Sequence, residues 1–319
     1  MADGDDNVFV YLGGDQVVPR EITHAVIDPS VKIVQGRAFS YRQKLVSVIF
    51  HDGVEIIEEG AFNGCRSLRS IKLLGVREIG DEAFNFCFKL SDVEFGKKLE
   101  TIGEEAFYGC GVLRSIKMPS VKTVRLQAFG YCGQLTEAEF GVDLDRIEVN
   151  SFCYCINLRR IAIPLKDNLF TFDSDEQKYN QFDECRKLTT VDIVGAEGIH
   201  KTISSLLLKS WRDEMNEEID RINRELPDTP PWEKVNAIRQ WIRSVINRMD
   251  HNKAEHNRLL KEHMSQLELA VWKTKLDEKG GNYNHKGAKI DEKSSREEKR
   301  ITSGADIVIK NVLPFLKLQ

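Results

Sequence analysis

Six of the seven cysteines of this 319-residue chain sit in one register: Cys65, Cys87, Cys110, Cys132, Cys155 and Cys185 follow one another at 22, 23, 22, 23 and 30 residues. A column of stacked thiols offers a soft metal a set of ligands, and at one strand spacing apart it offers geometry for disulfides. Buried cysteine more often behaves as a small hydrophobe, and a reducing compartment opposes disulfides. Cys153-x-Cys155 has no second pair at zinc-site spacing. His256 and His263 share a helical face with His251 nearby, but they are seven residues apart where a helical zinc pair needs four. Asp173, Asp175 and Glu176 begin like a calcium loop that lacks the glycine and distal glutamate of an EF-hand. The chain carries no phosphate loop, G-x-S-x-G, H-E-x-x-H or dinucleotide fingerprint. These residues therefore read as structural, and the chain as a non-enzyme with no cofactor and no metal.

The elements that place the cysteines are copies of one unit. Residues 68–84 read L-R-S-I-K-L-L-G-V-R-E-I-G-D-E-A-F, and the unit recurs with its final Phe at Phe39, Phe62, Phe84, Phe107, Phe129, Phe152 and Phe182. Three residues after each Phe comes Arg42 or a cysteine of the register. Six after it comes Leu45, Leu68, Leu90, Leu113, Leu135, Leu158 or Leu188. A period of 20–29 residues carrying L-x-x-L-x-L is a leucine-rich-repeat signature. Alternate apolar positions, as in Leu68-x-x-Ile71-x-Leu73, end on one face of a short strand. One rung cannot bury that face alone, so rungs stack and their strands pair in parallel. The chain then turns, buries a β-branched residue (Ile57, Ile79, Ile102, Val124, Ile147) and buries an Ala-Phe pair. The Phe rings are expected to stack as a spine on the convex side, each burial stabilising by about 1.5–3 kcal/mol.

Over residues 22–195 the unit closely resembles the BspA-type leucine-rich repeat of treponemal surface proteins and expanded protist families, L-x-x-I-x-[IL]-P-x-x-[VL]-x-x-I-x-x-x-A-F-x-x-C-x-x-L. The resemblance implies a right-handed solenoid that binds other proteins, often as a surface adhesin in bacteria. The proline after the strand stands here only at Pro29, Pro119 and Pro164.

Charge narrows the partners. The net charge is −4, with no pull toward nucleic acid or anionic membrane. The solvent-facing strand position ten after each Phe reads Ile49, Lys72, Glu94, Lys117, Glu139, Ala162, Asp192. Arg69, Arg114, Arg159 and Arg160 reinforce one set; Asp92 and Glu137 reinforce the other. The real unit is thus a 45-residue double repeat whose adjacent rungs carry opposite charge. This stripe reads either as internal salt bridges that fix register or as a docking surface for a protein with complementary stripes. The acidic, polar start of the chain lacks the pattern of a secretory signal, and no apolar run is long enough to span a bilayer. The expected location is cytoplasmic or nuclear.

The ends differ from the middle. Residues 7–18 hold two apolar runs around Gly13-Gly14, the pattern of a β-hairpin capping the first rung. Between Phe152 and Phe182 the step is about seven residues too long, and the surplus falls in 165–179, read as a surface loop. Past Gly195 the apolar spacing turns helical: Leu208, Trp211, Met215, Ile219, Ile222 and Leu226 form one stripe, and Pro227 stops it. Residues 232–276 contain neither Gly nor Pro and read as one long helix, on which the first packs back. Residues 278–300 read as a flexible linker. An apolar tail follows, with Ser303 capping a short helix that ends before Pro314.

The expected architecture is an α/β repeat solenoid with parallel strands on the concave side, followed by an α-helical hairpin and coiled-coil region. Its parts are a hairpin cap (1–22), the solenoid (23–198), the helical hairpin (199–277), the linker (278–300) and the tail (301–319). The expected role is a protein–protein interaction scaffold that binds a protein partner, not nucleic acid or membrane. The partner-binding residues are expected to be Arg69, Lys72, Asp92, Glu94, Arg114, Lys117, Glu137, Glu139, Arg159 and Arg160. The alternatives are a homo-oligomer formed through the C-terminal helices, with the solenoid as spacer, and a cell-surface adhesin.

Overall fold

The protein is described by a computed structural model over residues 8–171, 180–195 and 205–280, the side chains of 205–212, 256, 260 and 274–280 excepted. Among the described residues, six rungs contribute a long and a short strand and three a long strand alone. The long strands are β1 (Val8–Tyr11), β2 (His24–Ile27), β4 (Ser47–Ile49), β6 (Ser70–Leu73), β8 (Asp92–Phe95), β10 (Ser115–Met118), β12 (Glu137–Phe140), β14 (Arg160–Pro164) and β15 (Thr190–Val194). The short ones are β3 (Ile33–Val34), β5 (Ile56–Ile57), β7 (Glu78–Ile79), β9 (Thr101–Ile102), β11 (Thr123–Val124) and β13 (Arg146–Ile147). All pair in parallel. The long strands form two runs, β1-β2-β4-β6-β8 and β10-β12-β14-β15, and the short ones form one sheet. In β6, β8 and β10 exposed and buried residues alternate as the pattern requires.

The Phe spine is present. All seven rings are fully buried. Successive centroids lie 4.8, 5.2, 5.1, 5.3, 5.5 and 5.8 Å apart, with planes within 29° of parallel. The leucines six residues on are also fully buried. The [VL] slot of the repeat is buried too: Val31, Val54, Val76, Leu99, Val121 and Leu144, eight residues before the first six Phe residues, are 5% exposed or less.

Around each Phe the chain makes a corkscrew turn tied to the next rung. Gly60, Phe62 and Gly64 donate their N–H groups to the carbonyls of Asp81, Ala83 and Asn85 at 2.7–2.8 Å; Glu82, Phe84 and Phe86 do the same to Glu104, Ala106 and Tyr108. Left-handed backbone two residues before and two after the Phe turns alternate N–H groups along the stack: φ is 54° at Glu82 and 56° at Phe86. The cysteine slot adds a further tie. Each thiol donates to the carbonyl of the preceding spine Phe, from Cys65 to Phe39 (3.0 Å) through Cys185 to Phe152 (3.0 Å). Arg42, which stands in this slot in the first full repeat, donates to the Val18 carbonyl instead. The register of the cysteines is thus accounted for by packing and hydrogen bonding.

The predicted N-terminal hairpin does not form. β1 pairs in parallel with β2 as one more rung, and residues 12–23 contain no strand. Parallel placement sets the buried Tyr11 edge-on against Phe39 at 5.1 Å, closing the end of the spine. The Gln16 side chain then satisfies the turn, accepting from the Leu12 N–H and donating to the Val10 carbonyl.

The chain divides into two compact units, Met1–Ile199 with Lys209–Ile246, and His200–Leu208 with Asn247–Gln319. Two helices run through them, α1 (Ser205–Glu225) and α2 (Lys234–Gly280), the latter unbroken through the polar stretch at 250–258. In the first unit the helical hairpin closes the last rung. Asn223 accepts the Val191 N–H (2.8 Å), and Asn180 donates to the Trp232 carbonyl (3.3 Å). Lys234, 1% exposed, donates its ammonium to the carbonyls of Leu188 and Arg186, which have no further rung to bond. Burial holds its pKa below the ordinary lysine value. Ile222, Leu226, Val235, Ile238, Trp241, Ile242 and Val245 form the hairpin's core. In the second unit Arg258 pairs with Glu255 and Glu262 along the helix.

A bridge between Ile147 and Phe170 continues the short-strand sheet, so the surplus residues of that rung fall after Thr171. Asp173, Asp175 and Glu176 lie outside the described residues, as do the linker beyond Gly280, the tail with Ser303, and the side chain of His256.

Two outcomes follow. Phe107→Ala breaks the spine at its centre and is expected to lower the unfolding free energy by about 3–5 kcal/mol in urea titration; a loss under ~1 kcal/mol would deny the spine its role. Burial raises the thiols of Cys65 and Cys153 to about 12. All seven thiols are buried, so the native chain at pH 8 is expected to resist a thiol-specific disulfide reagent, and all seven cysteines are expected to react once it is unfolded.

Candidate protein-binding surface

The long-strand face carries the predicted charge stripe, and its charges are largely spent on each other. The register sets Lys72 beside Glu94 and Lys117 beside Glu139. Their ion pairs close at 2.9 Å each. Arg160 reaches Asp192 at 2.5 Å and Glu137 at 3.8 Å. Asp92 is exposed and adds to the negative field that raises the Lys72 pKa, after the hydrogen bond and charge of Glu94. Arg69, Arg114 and Arg159 are exposed at the start of this face; their carbonyls accept rung-to-rung bonds from Ser91, Thr136 and Thr189. Pairs this exposed contribute little to stability.

A second ladder runs outside the spine. The left-handed position two residues after each Phe holds Tyr41, Gly64, Phe86, Gly109, Tyr131, Tyr154 and Glu184. Four of these are aromatic. Phe86, Tyr131 and Tyr154 are 40%, 45% and 42% exposed, and Tyr41 is 62% exposed. Tyr108, one residue earlier in its turn, fills the gap at Gly109. Ring centroids step from Phe86 to Tyr108 (5.7 Å), to Tyr131 (5.1 Å) and to Tyr154 (4.6 Å). Phe88 joins Phe86 at 5.7 Å, with the Arg66 guanidinium 5.6 Å above its ring. Val112 and Ile156, four or five residues after their spine Phe, are also exposed. The glycines make room for it: a Cβ on Gly109 would stand 2.9 Å from the Phe86 ring, and one on Gly130 2.8 Å from Tyr108.

The family model for the BspA type leucine rich repeat region matches six copies here, over residues 19–132 and 77–202, more than half of the sequence. The chain belongs to the BspA-type leucine-rich repeat family. Solved structures similar to it include a leucine-rich repeat protein of T. pallidum (25% identity, covering 61% of this chain and 84% of that one, TM-score 0.46). Others are a leucine-rich repeat protein from Bacteroides ovatus (27%, 55% and 56%, 0.36) and the pneumococcal vaccine antigen PcpA (19%, 58% and 66%, 0.31). The chain thus spans just over half the length of the B. ovatus protein. No curated protein matches it.

In this BspA-type repeat an aromatic side chain at a left-handed position works against the backbone, since a non-glycine residue there costs about 1–2 kcal/mol. Gly64 and Gly109 show that the turn closes without one. Carboxylates border the ladder on the side from which the chain enters each turn. Asn63 and Asn85 hold Glu82 and Glu105 by hydrogen bonds of 2.9 and 3.1 Å. Burial, then Glu82 and Glu104, raise the Glu105 pKa; burial, then Glu184, raise that of Asp183. The Tyr154 pKa is raised by Tyr131 first, with burial, Asp183 and Glu184 behind it. The sequence signal for this ladder is the 45-residue spacing of Tyr41, Phe86 and Tyr131, the same double period as the charge stripe.

Proposed function

We propose that the chain is a non-enzymatic interaction scaffold that binds a protein partner through its repeat surface. The observation that carries this reading is the aromatic ladder from Phe86 to Tyr154, whose Phe86, Tyr131 and Tyr154 rings are exposed and whose Tyr108 ring is half-buried. Contiguous exposed aromatic surface marks interaction sites, and Tyr residues supply large contact area with few rotamers to freeze. A rigid stack presents them without reorganisation. Within this reading the charge stripe of Lys72, Glu94, Lys117 and Glu139 is a weaker docking surface, because its groups already neutralise each other. Seven free cysteines favour a reducing compartment, cytoplasmic or nuclear, over a surface adhesin.

A second reading rests on the far part of α2, where Leu267, Leu269, Val271 and Trp272 are 39–70% exposed. There the helix would join copies of the chain and the solenoid would act as a spacer.

The test is affinity capture from native extract with the full chain and two variants. Tyr131→Gly with Tyr154→Gly removes aromatic rings at a slot that accepts glycine elsewhere, so the fold is expected to persist with its melting temperature within a few degrees. Lys72→Ser, Glu94→Ser, Lys117→Ser and Glu139→Ser together clear the stripe. Partners are expected to be lost from the first variant and kept by the second. Loss from the second alone would move the site to the long-strand face; retention by both, with concentration-dependent self-association, would favour the helix reading.

A further inference from the structure

The spacing and borders of the ladder specify its occupant further. Four rings recur at 4.6–5.7 Å along the stack, because the strand spacing of a parallel solenoid sets that step. An α-helix lying along the stack repeats every 5.4 Å, so residues near i, i+4, i+7 and i+11 each meet one ring. An extended strand repeats its same-face side chains at about 6.6 Å and falls out of step within two rungs. One border is acidic. There stand Glu82 and Glu105, whose crowding against Glu104 and each other a cation would relieve. At the Phe88 end the Arg66 guanidinium stands 5.6 Å over the ring.

We propose that the ladder receives one amphipathic α-helix of a partner protein, about three turns long, running along the solenoid. Its apolar residues seat on Phe86, Tyr108, Tyr131 and Tyr154. Lys or Arg on one flank meets Glu82 and Glu105. This deepens the interaction reading above and rests on it. The ends of the ladder fix its length: Arg66 sits over Phe88 at one end, and at the other Glu184, paired with Arg186 at 2.7 Å, replaces the aromatic residue in the seventh turn.

The experiment selects displayed random peptides of roughly 18 residues against the immobilised full chain, then measures synthetic binders by fluorescence anisotropy and circular dichroism. The expected binders carry apolar residues at i, i+4, i+7 and i+11 with basic residues on one flank, and gain helicity on binding. Tyr131→Gly with Tyr154→Gly is expected to weaken them by about tenfold or more. Glu82→Gln with Glu105→Gln is expected to weaken them by roughly threefold to tenfold, with the effect fading at high salt. Binders that need the tyrosines but lack helical spacing would overturn the helix while leaving the interaction reading intact. Binders indifferent to the tyrosines, or no binders, would overturn both.

Discussion

Everything in the repeat unit depends on the distance between one rung and the next. Parallel strands set that distance near 4.8 Å, and the Phe rings, stacked face to face at 4.8–5.8 Å, accept it. The corkscrew turn then has to deliver three N–H groups to the neighbouring rung, which forces left-handed backbone at two positions per repeat. No rung satisfies itself, so both ends need closure. Tyr11 covers the spine at the first rung, and the Lys234 ammonium occupies the last carbonyls.

The same constraint decides what the surface can do. Any residue type held in one slot becomes a ladder with a step of about 5 Å. When the slot alternates Lys and Glu, the ladder neutralises itself, as it does at Lys72–Glu94 and Lys117–Glu139. When the slot holds tyrosine and phenylalanine, the rings pack in edge-on, tilted and stacked pairs, and Phe86, Tyr131 and Tyr154 still leave about two-fifths of their area to water. The first arrangement is complete within the chain; the second leaves apolar ring surface that the proposed partner would cover. This is why the aromatic edge, and not the charge stripe, is assigned the working role.

Most of the solenoid is legible in the sequence because buried slots tolerate few residue types. The Phe, Cys and Leu columns repeat without exception from the second full copy onward, and each maps to a buried column. The aromatic ladder is harder to read because its slot alternates: Tyr, Gly, Phe, Gly, Tyr, Tyr, Glu looks like a variable loop until the left-handed φ shows that glycine and aromatic residues answer the same backbone demand in two ways. The N-terminal hairpin misleads for a different reason. Alternating apolar residues around Gly13-Gly14 encode a strand and a turn, but not the direction of pairing, which the spine decides through Tyr11. The seating of Lys234 on Leu188 joins residues 46 apart and leaves no periodic trace. The charge stripe is legible residue by residue, yet its pairing depends on which rungs are neighbours in register.

The most direct test places a photo-crosslinking phenylalanine analogue, one chain position at a time, in the full protein inside its own cells. An aromatic analogue preserves the slot at Phe86, Tyr131 and Tyr154. Crosslinks to one discrete protein from these three positions, and none from Glu94 or Lys117 on the long-strand face, are the predicted result. Crosslinks from Glu94 and Lys117 with silence at the three aromatic positions would contradict the account and return the site to the charged face.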